Sequence, residues 1–107
     1  MADEGARFVL LLGLEVTDEA RYARYRAEMA PILASYGGGF GSDFRVSEVL
    51  KSPGSARINR VFTLSFPDRA HRERFLADPL YRSVRAAHFE PAVASTTVLA
   101  ELEGVAR

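Results

Sequence analysis

Apolar positions change period several times along this chain, and each change marks an element. Past its opening arginine, Arg7 to Leu14 is apolar at every position but Gly13, the pattern of a strand buried on both faces. From Tyr22 the period lengthens. Tyr22, Tyr25, Met29, Ile32, Leu33 and Tyr36 recur three and four residues apart, as on one face of an amphipathic helix. Thr17 is the expected N-cap, with Asp18 and Glu19 set against the positive end of the helix dipole. Pro31 removes a backbone donor and should bend the helix, and Gly37 should close it in the left-handed conformation. Phe40 to Leu50 returns to period two, with Phe40, Phe44, Val46 and Leu50 on one face. After a loop from Lys51 to Ala56, Arg57 to Phe66 answers it as a hairpin partner. Ile58, Phe62, Leu64 and Phe66 share one face of that strand with Arg60, and Asn59, Val61, Thr63 and Ser65 take the other. Pro67-Asp68 then opens a helix, and Asp78-Pro79 opens a shorter one through an N-cap and a first-turn proline. Pro91 ends it, and Val93 to Leu102 is the last strand.

Strand, helix, two strands, helix, strand is the order of an α+β, ferredoxin-like βαββαβ fold with a four-stranded antiparallel sheet. Residues 7–103 make a single domain in this reading, after a disordered N-terminus (1–6) and before a C-terminal tail (104–107). In such a fold the helices cover one sheet face, so a strand should alternate. Phe8 to Leu12 does not. Val9 and Leu11 call for cover on the far face, and the simplest cover is the same sheet of a second copy, giving a homodimer.

Composition narrows the function classes. The chain has 107 residues, with fourteen basic and fourteen acidic side chains and no cysteine. A net charge of zero gives no field to recruit nucleic acid or an anionic membrane. Without cysteine there is no disulfide framework, thiolate metal site or cysteine nucleophile, which fits a cytoplasmic protein. The start, MADEGAR, is acidic where a signal peptide is basic, and no apolar run is long enough for a bilayer.

The glycines from Gly37 to Gly41 follow a helix and precede a strand. That is the reverse of a phosphate-binding loop, so they read as a C-cap and a close backbone approach. The two histidines are far apart and no metal-ligand spacing occurs, so neither a metal nor an organic cofactor is expected. His71 falls on the charged helix face with Arg69, Arg72 and Glu73.

Tyr22-x-x-Tyr25 leading to Pro31, Tyr36-Gly37-Gly38-x-Phe40, Phe66-Pro67 and Asp78-Pro79-x-Tyr81 occur in that order. Together they resemble a small family labelled only as a domain of unknown function (the 1330 family), in the dimeric α+β barrel superfamily. The match covers residues 20–103, and the chain has His88 where the family pattern usually has an arginine. The resemblance implies a dimeric α+β barrel. It also implies a range of functions: cofactor-free monooxygenases, polyketide cyclases, lactone isomerases, haem-handling enzymes and members with no known activity.

Three residues are candidates for chemistry. His88 shares a helical stripe with Tyr81, Val84 and Arg85; a neutral imidazole there would serve as a general base, or else end its helix as a structural group. Arg60 alone breaks the apolar row of its strand. It either closes on a carboxylate such as Glu48 or holds a ligand anion. Tyr25 reads as a core aromatic or as a proton donor. Tyr22, Phe40, Asn59 and Phe62 complete a ligand-binding set expected between the sheet and the first helix. Two readings stand: a cofactor-independent cyclase, isomerase or monooxygenase acting on a small aromatic or polyketide-like molecule, and a dimeric ligand-binding or structural module without catalysis.

Overall fold

The computed structural model describes residues 7–105. It contains β1 (Arg7–Val16), α1 (Glu19–Ser35), β2 (Gly39–Arg45), β3 (Arg60–Phe66), α2 (Arg69–Ala77), α3 (Pro79–Val84), a π-helical turn (Arg85–Phe89) and β4 (Val93–Val105). The strands pair antiparallel in the order β2-β3-β1-β4, with β1 and β3 central. This is the ferredoxin-like βαββαβ arrangement that the element order predicts. The expected disorder of residues 1–6 lies outside the described residues, and β4 runs through Gly104 to Val105 where the sequence reading begins a tail.

One face of the sheet meets the helices and makes the core. Phe8, Leu10 and Leu14 of β1 and Phe62, Leu64 and Phe66 of β3 pack there against Tyr22, Tyr25, Met29 and Leu33 of α1 and against Phe75 and Tyr81. The tyrosine and aliphatic stripe of α1 is buried as its spacing demands.

Helix ends differ in detail from expectation. Asp18, not Thr17, caps α1: its carboxylate accepts from the Arg21 amide at 3.0 Å, while the Thr17 hydroxyl donates to the Ala92 carbonyl at 3.2 Å. A carboxylate at the cap satisfies an orphan amide and meets the helix dipole as well. The helix continues through Pro31 to Ser35. At its end Gly37 takes φ +75°, its amide bonds Ala34 O at 2.9 Å, and the Gly38 amide bonds Leu33 O at 3.0 Å. Those paired bonds form a Schellman cap. A Cβ on Gly38 would stand 2.6 Å from a Leu33 methyl carbon and 3.0 Å from the Phe66 ring, so this turn docks directly on β3.

The hairpin is shorter than its pattern. β2 stops at Arg45 and β3 starts at Arg60, where the alternation predicts strands to Leu50 and from Arg57. Within β2 there is also a bulge. Phe40 pairs with Leu64 but Asp43 pairs with Phe62, so β2 carries one extra residue there. An extra residue moves each later side chain to the opposite face. Asp43 therefore takes the helix-facing position, and Phe44, expected beside Phe40, lies on the bare face with 59% of its surface exposed. Ile58 also departs from the expected row. It covers Gly13, whose partners Val61 and Thr97 share the bare face.

Candidate functional site

Between the covered face of the sheet and the helices lies a cavity of about 160 Å³. Leu10, Leu12 and Leu14 form its floor with Phe62 and Leu64, and Tyr25, Met29, Tyr81 and Phe89 stand over them. Few of its lining residues carry a polar group: Tyr22, Tyr25, Tyr81, Thr96, Arg72 and Arg85. No carboxylate, histidine or lysine is among these lining residues.

The tyrosines are held by both helical layers. Tyr25 comes from the buried stripe of α1, and Tyr81 from the first turn of α3, where Asp78 caps the helix through the Tyr81 amide at 3.0 Å. Their hydroxyls meet at 2.8 Å. Phe89 packs on Tyr25 with ring centroids 4.9 Å apart, and Phe75 packs on Tyr81 at 4.0 Å. Burial, reinforced by the neighbouring Tyr81 hydroxyl, drives the Tyr25 phenol far above its ordinary value. Tyr25 is thus a neutral hydrogen-bonding group at any physiological pH. In a hydroxyl pair one O–H donates and the other keeps its hydrogen. Neither hydroxyl has another partner among the described residues, so the cavity retains one phenolic donor.

A second polar group lies beside the Phe40 end of the site. Asp43, placed on the helix side by the bulge, accepts from Arg60 Nε at 3.0 Å and Nη2 at 3.1 Å, and from Arg26 at 3.1 and 3.3 Å. Arg26 also donates to the Tyr22 hydroxyl at 2.7 Å, and its guanidinium stands 3.9 Å above the Phe40 ring. Glu19 approaches Arg60 at 3.7 Å. The hydrogen bonds from Arg60 come first in holding the Asp43 carboxyl below its usual range. Burial raises the Tyr22 phenol, against the lowering influence of Arg26.

The residues nominated from sequence fall into two groups. Tyr22, Tyr25, Phe40 and Phe62 line the cavity together. Arg60, His88 and Asn59 do not. Arg60 is committed to Asp43 and Glu19 rather than to Glu48. Asn59 fixes the end of β1, accepting from the Val16 amide and donating to the Val16 carbonyl, both at 2.9 Å. His88 pairs through Nε2 with Glu28 of α1 at 3.3 Å, and its buried Nδ1 has no partner among the described residues. His71, expected in solvent, bonds the Asp68 cap at 2.7 Å.

Sequence reasoning passed over Tyr81, Arg72 and Arg85 as site residues. Tyr81 and Arg85 are four residues apart, which places both on one face of the α3 segment. Arg72 belongs by spacing to the charged face of its helix, yet it precedes buried Phe75 by three positions and its guanidinium stands 4.8 Å over the Phe8 ring.

Comparison with other proteins places this architecture. No curated protein matches the chain. Among solved structures, a protein of unknown function from Rhodopseudomonas palustris is similar, with a TM-score of 0.77 and 20% identity over 97% of this chain and 85% of that one. SnoaB, a cofactor-independent oxygenase from Streptomyces nogalater, gives a TM-score of 0.55 at 18% identity over 97% of this chain and 94% of its own. A dimeric ferredoxin-like protein of unknown function from Thermobifida fusca gives 0.58 at 10% identity, covering 94% and 92% of the two chains. At such identities the likeness is one of fold. The sequence carries further: residues 8–102 match the model of the family described as Domain of unknown function (DUF1330), and the chain belongs to that family.

Proposed function

We propose that this protein is a homodimer that binds a small aromatic molecule in the cavity between its sheet and its helices. The observation that carries the reading is the cavity itself: aromatic and aliphatic walls around one buried tyrosine pair with a hydrogen to give. Pockets of that composition hold an apolar body and orient it through a few polar groups. The dimer is supported by the bare sheet face. Val9, Leu11 and Val61 are only half-buried there, and Leu102, opposite Val9, is 49% exposed. The dimeric protein from Thermobifida fusca has a similar fold.

A catalytic reading is favoured by the same tyrosines and by the likeness to a cofactor-independent oxygenase. A phenolic O–H aimed at a carbonyl oxygen stabilises negative charge as an adjacent C–H loses its proton, which suits cyclisation, isomerisation or oxygen addition to the resulting carbanion. In this reading Tyr25, one of the three residues nominated for chemistry, acts with Tyr81, and His88 and Arg60 take no part. The cavity lining holds no carboxylate, histidine or lysine to take that proton, so the substrate must carry its own base, such as an ionised phenol or carboxylate.

Ligand-observed NMR with a panel of one- to three-ring aromatics tests binding, and the resonances of Tyr25, Phe62 and Phe89 should move with any hit. If no member of the panel binds at millimolar concentration, the ligand-site reading fails. With a turned-over substrate in hand, Tyr81→Phe should lower kcat and leave KM near wild type; unchanged kcat would remove the tyrosine pair from the chemistry, and a panel that binds without turnover would leave the protein a binder.

A further inference from the structure

The arginines of this molecule are neutralised very unevenly. Arg26, Arg60 and Arg69 each contact a carboxylate within 3.1 Å. Arg85 contacts none among the described residues; its guanidinium stands 4.4 Å over the Phe89 ring. Arg72 reaches only its exposed neighbour Glu73, at 3.2 Å, and its buried Nε has no acceptor among the described residues. Exposed arginines such as Arg24 and Arg74 also contact no carboxylate among the described residues; what sets Arg72 and Arg85 apart is that both are partly buried and line the cavity. A partly buried cation such as Arg85 is costly without an anionic partner, and a ligand anion would supply one to it and an acceptor to the Arg72 Nε.

Size and charge together then restrict the occupant. A cavity of about 150 Å³ holds a benzene-sized ring, and this one is about 160 Å³. Its polar lining offers hydroxyls and guanidinium donors with no opposing carboxylate, histidine or lysine. Building on the reading of this cavity as a ligand site, we infer that its ligand class is the one-ring aromatic carboxylates. The ring lies among Phe62, Phe89 and Tyr25, and the carboxylate is held by Arg85 and Arg72. Arg60, the arginine that the sequence singles out, is occupied by Asp43 and plays no part in holding it.

The test is calorimetric titration of the full-length protein with four probes: benzoate, benzamide as its neutral isostere, 1-naphthoate with a second ring, and acetate with none. Benzoate should bind at least about tenfold more tightly than benzamide, as expected for charged hydrogen bonds, and naphthoate and acetate should bind more weakly than benzoate. Added salt should weaken benzoate and leave benzamide unchanged. Arg85→Gln should bring benzoate down to the benzamide level, and Arg85→Lys should restore part of the difference. If Arg85→Gln does not fold by circular dichroism, Arg72→Gln carries the same comparison. Equal affinity for benzoate and benzamide overturns the anion assignment while the aromatic site stands. Tighter binding of naphthoate overturns the one-ring limit. If no arene binds, this inference falls together with the ligand site on which it rests.

Discussion

On the helix-covered face of the sheet Phe8 and Phe66 are fully buried, whereas on the opposite face Phe44 keeps 59% of its surface in solvent and Leu102 keeps 49%. β1 supplies apolar side chains to both: Phe8, Leu10 and Leu14 inward, Val9 and Leu11 outward. The inward set is complete within one chain and still leaves a cavity. The outward set is complete only against something else. An apolar pattern therefore shows that a strand needs cover without saying where the cover comes from. On the covered face the neighbours are α1 to α3; on the bare face the proposal of a second copy supplies them.

The largest expected effect is on the covered face. Tyr22 is 1% exposed, and its ring carries the guanidinium of Arg26 at 5.1 Å and of Arg60 at 5.2 Å. Tyr22→Ala should destabilise the fold by about 3–5 kcal/mol, the range for truncating a buried aromatic, as read from urea unfolding. Tyr22→Phe keeps the ring and loses only the bond from Arg26, so about 1 kcal/mol is expected. A loss below about 1 kcal/mol for the alanine variant would mean that this face is far looser than its burial indicates.

Leu11→Lys probes the other face. If that face pairs two copies, the substitution puts two ammonium groups into one desolvated interface. Dimer affinity should then fall by at least about a hundredfold, roughly 3 kcal/mol. The far-ultraviolet circular dichroism should stay unchanged, because nothing on the covered face is touched. Sedimentation equilibrium at micromolar concentration reads the outcome. A wild-type monomer, or a variant that dimerises as tightly as wild type, would end the proposal that this face is an interface.

How much of this was legible in the sequence depends on what kind of signal carried it. The element order, the α1 stripe, the Gly37 cap and the Asp78-Pro79 start all follow from local periodicity and capping chemistry, and the structure has each of them. The bulge after Phe40 was invisible, because a run such as Gly41-Ser42-Asp43 reads equally well in either register. That single residue sends Phe44 outward and Asp43 inward, and so gives Arg60 the partner that removes it from the cavity. The cavity's aromatic lining was legible from the face assignments of Tyr22, Tyr25, Phe40 and Phe62. Its polar partners were not. Tyr81, Arg72 and Arg85 come from the second helical layer, whose docking is set by tertiary packing rather than by sequence spacing.

The smallest effect expected lies at the edge between the two faces, where Asp43 is clamped by Arg26 and Arg60 with its side chain 32% exposed. Asp43→Asn keeps the shape and removes the charge. At neutral pH the loss should be about 1 kcal/mol after allowing for solvent screening. The pH dependence identifies the cause. The folded state holds this carboxyl below its ordinary value, chiefly through the bonds from Arg60, so its stabilisation is fully present above the unfolded pKa of about 3.9. It is lost as pH falls through the lower, folded value. Asp68, Asp78 and Glu103 are shifted the same way, so the wild-type curve alone would mix four groups. The difference between wild type and Asp43→Asn isolates one. That difference should be flat from about pH 7 to pH 5 and should shrink below about pH 4, as the wild-type carboxyl takes up its proton. A gap equally large at pH 7 and pH 3 would show that the contribution of Asp43 is steric rather than ionic, and the two arginines would then need another explanation for their fixed positions.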